Sequence, residues 1–355
     1  MKPVDKIRSD ILNYRVAVAS AAVSAQYTRA PETFERTRRR TLENWKTDAE
    51  LHLFHLAQAL SLESPRLFTD YIAWTKIVLG QRGLITSDFV FHLTCIADAL
   101  ERILPEASAK AAGAVVRTTI AELPEMPEDI CTFLEEDAPM TPLARQYLEA
   151  LRQGQHHAAS QLILGAVERG TPVRDIYLGV FEPVQREIGR LWQLNQLSVA
   201  QEHSGSATTQ RIMSQLYPKV FSPGNNDRTI LATSVEGEQH AIGARMVADF
   251  FEMAGWHTHY LGADTPIADI IAAAVEHRTD VLALSASMLP HIEAVRVMIA
   301  SARERADCAG MKIIVGGSLF NQNPDLWRQI GADGTAPNAL EAVELGNRIV
   351  GDVAG

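Results

Sequence analysis

The sequence has few cysteines and no long apolar run. Three cysteines, Cys95, Cys131 and Cys308, are spread over 355 residues. So small and odd a number argues against a disulfide framework and a cysteine-based zinc site. No apolar stretch approaches the roughly 18 residues of a membrane span, and the opening segment MKPVDKIRSDILNYR lacks the apolar core of a secretion signal. We therefore expect a soluble protein in a reducing cytoplasm, with no membrane partner.

Positive charge is also scarce. The chain has 33 Lys and Arg against 43 Asp and Glu, which gives a formal net charge of -10. A general nucleic-acid surface would be basic, so we expect no direct nucleic-acid partner. The one basic cluster, ERTRRR at 35–40, is interpreted as a solvated helix face.

The first 120 residues are predicted to form an all-helical domain. Apolar residues recur every three or four positions in segments 48–62, 65–83 and 87–105, which is the period of amphipathic helices that pack on one another. Residues 121–141 are acidic and rich in proline, as is typical of a linker.

Residues 142–221 are predicted to form a four-helix bundle with short connections. Gly154 and Gly170 lie where helices should end, and Ser198 suits a helix N-cap. A turn-rich linker, SPGNND at 222–227, follows the bundle.

From residue 227 to 355 short apolar strands alternate with helical segments. This alternation predicts a parallel sheet with right-handed crossovers. The expected strands are 229–235, 257–262, 280–286, 312–317 and 333–336. The predicted fold is therefore α/β: a helical N-terminal domain, a four-helix bundle, and then a Rossmann-like, flavodoxin-like domain whose sites lie at the strand C-termini.

The most informative stretch is SVEGEQHAIGARM at 234–246. Glu238 stands two residues before His240, and Gly243 opens a helical pattern. A neutral imidazole is a good ligand for a late first-row metal, and a carboxylate two residues earlier can accept the other ring N–H, which fixes the tautomer.

Further along, 41 residues (244 to 284) separate Gly243 from Ser285-Ala286-Ser287, and 28 residues (288 to 315) separate Ser287 from Gly316-Gly317. In this order the residues resemble the cobalamin-binding domain of methionine synthase, whose motif is Asp-x-His-x-x-Gly, then Ser-x-Leu, then Gly-Gly. This chain departs from it at Glu238 and Ser287, where the family has Asp and Leu.

The resemblance implies a role for each motif residue. His240 would be the lower axial ligand of cobalt, with Glu238 hydrogen-bonded behind it. Gly243 and Gly316-Gly317 would leave room for the nucleotide tail of the cofactor, and Ser285 and Ser287 would hydrogen-bond it.

The bundle carries a second motif. Nine residues separate Trp192 from Glu202-His203, which resembles the Trp-x9-Glu-His signature of B12-dependent photoreceptors. There the bundle caps the upper face of the corrin and contacts a 5'-deoxyadenosyl group. In the light-responsive repressors a His directly follows the Trp and binds cobalt after photolysis, whereas this chain has Gln193.

The whole layout resembles the photocobilins, B12 photoreceptors that also bind a bilin. This resemblance implies adenosylcobalamin or another cobalamin as cofactor, with biliverdin as the second chromophore, and a light sensor in which cleavage of the cobalt-carbon bond signals to a protein partner. We also expect a homo-oligomer. No catalytic residue is predicted. Two alternatives stay open: a corrinoid carrier protein of a methyltransferase system, and the small subunit of an adenosylcobalamin mutase.

Overall fold

The computed structural model describes residues 3–37, 41–220 and 226–351. Residues 38–40 of the predicted basic face and residues 222–225 of the predicted second linker lie outside these ranges. The chain divides into two compact units. One comprises Met1–Cys131 with Gln193–Gln196, and the other comprises Thr132–Trp192 with Leu197–Gly355. No helix among the described residues is long and apolar enough to cross a membrane.

The first unit is helical, as predicted. Its helices are α1 (Pro3–Arg29), α2 (Pro31–Arg36), α3 (Leu42–Ser61), α4 (Pro65–Gly80), α5 (Thr86–Ile103) and α6 (Glu106–Glu122). Helices α2 and α4 begin with proline. An N–H in the first turn of a helix has no acceptor within the helix, so proline, which has no N–H, loses nothing there. Thr41 caps α3 through reciprocal hydrogen bonds with Asn44.

The core of this unit contains polar aromatic side chains among the apolar ones. The rings of His55 and Tyr71 stack with centroids 3.5 Å apart and planes 7° from parallel. His52 Nδ1 lies 2.8 Å from the Tyr71 hydroxyl, and His92 Nδ1 lies 2.7 Å from Gln26 Oε1. These histidines are buried, so hydrogen bonds within the protein replace the water that they lose.

The second unit begins with the helical bundle. Its helices are α7 (Thr141–Arg152), α8 (His156–Glu168), α9 (Val173–Ile176), α10 (Glu182–Gln193) and α11 (Val199–Leu216). A π-helical turn, Tyr177–Phe181, joins α9 to α10, so the two act as one long element. Gly154 and Gly170 have positive φ beyond the ends of α7 and α8, and Ser198 caps α11.

A parallel five-stranded sheet follows the bundle. Its strands are β1 (Thr229–Val235), β2 (His257–Thr265), β3 (Val281–Ser285), β4 (Lys312–Gly316) and β5 (Gly334–Thr335), in the order β2-β1-β3-β4-β5. The helices are α12 (Ile242–Met253), α13 (Ile267–Glu276), α14 (Ile292–Arg303), α15 (Ser318–Gln322), α16 (Leu326–Gln329) and α17 (Ala339–Val350). The predicted flavodoxin-like fold class is confirmed.

Strand β2 is longer than predicted. The sequence suggested that it ends at Gly262, but pairing with β1 continues to Thr265 across two register shifts. Thr233 Oγ1 donates to the Gly262 carbonyl oxygen at 3.2 Å and to Thr265 Oγ1 at 3.0 Å. These side-chain hydrogen bonds hold the irregular segment where the regular ladder is interrupted.

Helix α12 carries the contact between bundle and sheet. The buried Tyr177 hydroxyl donates to Asp249 Oδ2 at 2.7 Å, and Arg245 donates to the Gln210 carbonyl oxygen at 3.1 Å and to Ser214 Oγ at 2.9 Å. Buried apolar residues of the bundle, α12 and α17 form one continuous core. Helix α12 is therefore held against the bundle.

The first prediction concerns the buried His55. Burial lowers its pKa from 6.5 to about 4, against the opposing effect of the hydrogen bond to the Leu51 carbonyl oxygen. Between these two pH values the unfolded chain takes up a proton that the folded chain does not. The free energy of unfolding of this unit should therefore fall as pH decreases through that window, by at most about 3 kcal/mol.

Replacement of His55 by Gln should remove this part of the acid dependence. Amide hydrogen exchange of α3, measured at the two ends of the window, reports the difference. The exposed His157 of α8 provides the control, because His157→Gln should leave the acid dependence of α3 unchanged. An undiminished dependence in His55→Gln would contradict the assignment.

Candidate functional site

The candidate site lies at the carboxyl ends of β1 and β3. The sheet order changes direction between these strands, and open α/β sheets bind ligands in the crevice at such a point. After β1 the chain turns at Gly237, whose φ is 84°. The Glu238 N–H then donates to the Val235 carbonyl oxygen at 2.9 Å, which directs the Glu238 side chain back into the domain.

Glu238 is the centre of the site, and its side chain is fully buried. Its Oε1 accepts a hydrogen bond from the His240 backbone N–H at 2.9 Å and lies 2.5 Å from His240 Nδ1. Its Oε2 accepts from the Ser287 backbone N–H at 2.6 Å and lies 2.9 Å from His291 Nδ1. Both oxygens of the buried carboxylate are thus hydrogen-bonded.

This environment keeps Glu238 ionised. Burial acts to raise the pKa of Glu238, but the hydrogen bonds from His240, His291 and the Ser287 N–H outweigh it and hold the pKa well below its usual range. The pKa of His240 is raised, first by its hydrogen bond to Glu238 and against the effect of burial. The charge of Glu202 in the bundle acts in the same direction.

His240 presents one ring nitrogen to the outside. Its side chain is 60% exposed, and Nδ1 is engaged by Glu238. The Ser234 hydroxyl donates to the His240 carbonyl oxygen at 3.1 Å, and α12 begins two residues later, so the backbone is held on both sides. Since the carboxylate takes Nδ1–H, the neutral ring has Nε2 available as a metal ligand.

The predicted glycines differ in their surroundings. A Cβ on Gly243 would meet open space, whereas a Cβ on Gly317 would collide with the Ala286 carbonyl oxygen. Gly317 also has a φ of 107°, which disfavours any other residue. Gly316 pairs with Ser285 at the strand ends. Gly243 thus leaves space at the site, while Gly317 allows β4 to approach the loop after β3.

The two predicted serines contribute through position and backbone. Ser285 is the last residue of β3 and lies beside Ser234 of β1. Ser287 uses its backbone N–H to bind Glu238, and its carbonyl oxygen accepts from the Ser318 hydroxyl at 2.8 Å. The resemblance implied that the Ser287 hydroxyl binds the cofactor. The hydrogen bond from its backbone N–H to Glu238 was not predictable, because every residue except proline has such an N–H.

The bundle residues occupy distinct positions. Trp192 packs against the core of the second unit and is partly buried. Glu202 accepts from the Ser206 hydroxyl at 3.1 Å and is near enough to His240 for its charge to act there. His203 is 74% exposed and contacts Glu202. Glu202 is therefore the member of this motif that the structure associates with His240.

Two residues at the site were missed. His291 stands in the turn between β3 and α14 and shares Glu238 with His240. Asp264, at the end of β2, accepts from the Gly237 N–H at 2.7 Å and donates its own N–H to the Glu238 carbonyl oxygen at 3.1 Å. Both residues lie at or after the carboxyl end of a strand that neighbours β1. That position was the only feature of the sequence that could have identified them.

The donor set restricts what kind of metal can bind. Among the described residues no group of three or more His, Cys, Asp and Glu side chains could hold a metal ion. His240 itself presents a single imidazole nitrogen, which is the kind of ligand that a metal held in a macrocycle takes from a protein. The exposed imidazole, the buried carboxylate behind it and the space at Gly243 fit such a cofactor.

Comparisons with known proteins agree with this geometry. A family model described as a B12 binding domain matches residues 228–344, and a second of the same description matches residues 143–217. Dimethylamine corrinoid protein 3 of Methanosarcina mazei is 36% identical over 115 residues, which cover 32% of this chain and 67% of that protein. The chain belongs to the B12-binding family. It therefore has a corrinoid-binding domain.

Other relatives of this B12-binding chain have the same kind of name. A corrinoid protein of Desulfitobacterium hafniense is 26% identical over 209 residues, or 57% of this chain and 95% of that protein. Dimethylamine corrinoid protein 3 of Methanosarcina acetivorans is 36% identical over 115 residues, and the match spans about half (53%) of its length and 32% of this chain. The solved monomethylamine corrinoid protein of Methanosarcina barkeri shares the fold, with a TM-score of 0.54 at 20% identity over 59% of this chain and 99% of that one.

These findings correct the expected function. The curated relatives are named corrinoid proteins, several of them dimethylamine corrinoid proteins, so the prediction of a light sensor with a signalling partner is wrong. Gln193 stands where the light-responsive repressors have a cobalt-binding His. Its side chain is buried and donates from Nε2 to the Trp74 carbonyl oxygen at 3.3 Å.

The second prediction compares two glycines of the site. Gly317→Ala should lower the free energy of unfolding by about 1–3 kcal/mol or more, because the new methyl group meets the Ala286 carbonyl oxygen in a strained backbone conformation. Gly243→Ala lies in α12 with open space around it and should leave stability unchanged or slightly increased. Urea unfolding of the full chain without cofactor measures both, and equal stabilities of the two variants would contradict the steric difference between the two positions.

Proposed function

We propose that this chain is a corrinoid carrier protein of a methyltransferase system, with His240 as the lower axial ligand of cobalt. The observation that carries the proposal is the pairing of His240 Nδ1 with the fully buried Glu238 at 2.5 Å. This contact holds the ring in one tautomer with Nε2 directed away from the carboxylate, which is the state that binds a metal.

The protein's own groups have separate tasks in this proposal. Glu238 orients His240 by accepting from Nδ1, which leaves Nε2 for the metal, and a Cβ on Gly243 would meet open space. When bound, the corrinoid supplies a cobalt atom that can accept a methyl group and give it up. The bundle carries Trp192 and Glu202, and the hydrogen bond between Tyr177 and Asp249 attaches it to α12. With a corrinoid held by His240, these bundle residues would limit the access of water to it.

The partners in this proposal are two methyltransferases, one that delivers the methyl group and one that removes it. The names of the relatives support a methylated amine as the methyl donor. This extension to the whole reaction is an inference, because several of those relatives match over only about half of their length. Adenosylcobalamin and biliverdin, implied by the photocobilin resemblance, stay predictions that ligand titrations can test.

The third prediction tests the lower ligand. The full chain reconstituted with methylcobinamide, a corrinoid without the nucleotide base that could itself coordinate cobalt, should show the absorption spectrum of a corrinoid bound through a protein imidazole. His240→Ala should lose this spectrum and bind methylcobinamide about 10–100-fold more weakly. His257→Ala, which changes an exposed imidazole of β2 in the same domain, is the matched control and should behave as the unchanged protein.

A second measurement separates carriage from binding. The chain, loaded with reduced cobalamin, is mixed with a purified methylamine methyltransferase and methylamine labelled with ¹⁴C. Label should appear on the bound cofactor in the unchanged chain and in His257→Ala. Tight cobalamin binding without any label transfer would exclude the methylamine carrier role, and an unchanged spectrum in His240→Ala would exclude His240 as the ligand.

A further inference from the structure

The connection from α10 to α11 leaves the second unit and returns to it. Trp192 and the chain from Leu197 onward belong to the second unit, yet Gln193–Gln196, the 193–196 segment, belongs to the first. Leu191 and Leu197, on either side of the connection, lie in the core of the second unit. The Leu197 N–H donates to the Leu191 carbonyl oxygen at 3.2 Å. This hydrogen bond closes a loop that contains Trp192.

Two hydrogen bonds and one buried leucine hold the 193–196 segment in the first unit. The buried Gln193 side chain donates from Nε2 to the Trp74 carbonyl oxygen at 3.3 Å. Arg82 Nη1 donates to the Gln193 carbonyl oxygen at 3.3 Å and to a carbonyl oxygen in the last turn of α4 at 2.8 Å. Leu194 is 6% exposed and lies outside the core that bundle and sheet share. The tip of the loop is therefore anchored to α4.

We propose that the first unit, through the 193–196 segment, holds Trp192 in place beside the corrinoid and thereby controls how readily small solutes reach the cobalt. Arg82 and Gln193 are the positioning residues of this arrangement, and neither has to touch the cofactor. The inference rests on the proposed function, because it requires a corrinoid on His240 that the bundle residues cover.

The physical effect follows from the place of Trp192 in the loop. It lies between the closed end, which is fixed in the second unit, and the tip, which is fixed in the first. If Arg82 loses its guanidinium, the Gln193 carbonyl oxygen loses that donor and the tip moves more freely. The indole of Trp192, which is only partly buried against the core of the second unit, then leaves the cofactor open more often.

A simpler possibility is that these contacts only stabilise the first unit. A substitution elsewhere in that unit separates the two roles. The buried hydroxyls of Thr69 and Thr119 share a hydrogen bond at 3.0 Å, so Thr69→Val lowers the stability of the first unit without changing a contact of the 193–196 segment. Only the positioning role predicts that loss of the Arg82 guanidinium affects the cofactor and that loss of the Thr69 hydroxyl does not.

The fourth prediction is tested on the full chain loaded with aquacobinamide, a corrinoid without a nucleotide base, at a fixed neutral pH. Stopped-flow absorbance measures the rate constant with which azide replaces the water bound to cobalt. In Arg82→Met and Gln193→Leu this rate constant should rise about 2–30-fold, which is the range of effects that coupled packing networks show. Arg66→Met removes an exposed arginine of the same helix. This control and Thr69→Val should match the unchanged protein.

A second measurement needs no corrinoid. Amide hydrogen exchange of the unloaded chain follows the Leu197 N–H, whose hydrogen bond to Leu191 closes the loop. This amide should exchange faster in Arg82→Met and in Gln193→Leu than in the unchanged protein, because a loose tip allows the loop to open. Arg66→Met should exchange at the rate of the unchanged protein.

Azide rate constants of folded Arg82→Met and Gln193→Leu equal to that of the unchanged protein would overturn the inference. An increase of the same size in Thr69→Val would overturn it too, and so would unaltered exchange of the Leu197 amide in both variants. Should Gln193→Leu fail to fold, Gln193→Met serves as the variant without the amide donor. An absorption spectrum of loaded His240→Ala identical to that of the unchanged chain would instead overturn the proposed function.

Discussion

The buried carboxylate of Glu238 is the constraint on which the rest of the site depends. A charge with no exposed surface is costly unless its oxygens are hydrogen-bonded. The chain meets this requirement with groups from two separate loops, those after β1 and β3. Gly237 turns the first loop inward, Gly317 lets β4 approach the second, and Asp264 fastens the first loop to β2. The position of His240 is a result of these contacts.

The sequence predicted the local parts of this arrangement and missed the remote ones. A carboxylate two residues before an imidazole can hydrogen-bond it, and this pair stands in a motif that resembles a known cobalamin-binding motif, so Glu238 and His240 were identifiable from the sequence. His291 was not, because it reaches Glu238 only through the parallel register of β1 and β3. The hydrogen bond from the Ser287 backbone N–H was also not predictable, because almost every residue type has a backbone N–H. The sheet was predictable because alternating strands and helices leave few possible topologies.

The bundle motif shows why a resemblance in one region does not determine function. The spacing of Trp192, Glu202 and His203 matches that of the photoreceptor motif. The neighbouring Gln193, however, donates a hydrogen bond to a backbone carbonyl oxygen of α4. The curated relatives are named corrinoid proteins, several of them dimethylamine corrinoid proteins. A scaffold that covers a corrin can accompany different reactions, and the surroundings of individual side chains decide between them.

The continuous core of bundle, α12 and α17 has a consequence for the newly made chain. The bundle is synthesised before the sheet, yet part of its apolar surface is covered only by α12, and α17 completes the same core. At typical synthesis rates of about 5–20 residues per second, that surface stays open to water for several seconds while the sheet is made. Chaperones that bind apolar surface therefore have a defined interval in which to act. Nascent chains stalled between α11 and α17 should be the most prone to aggregate.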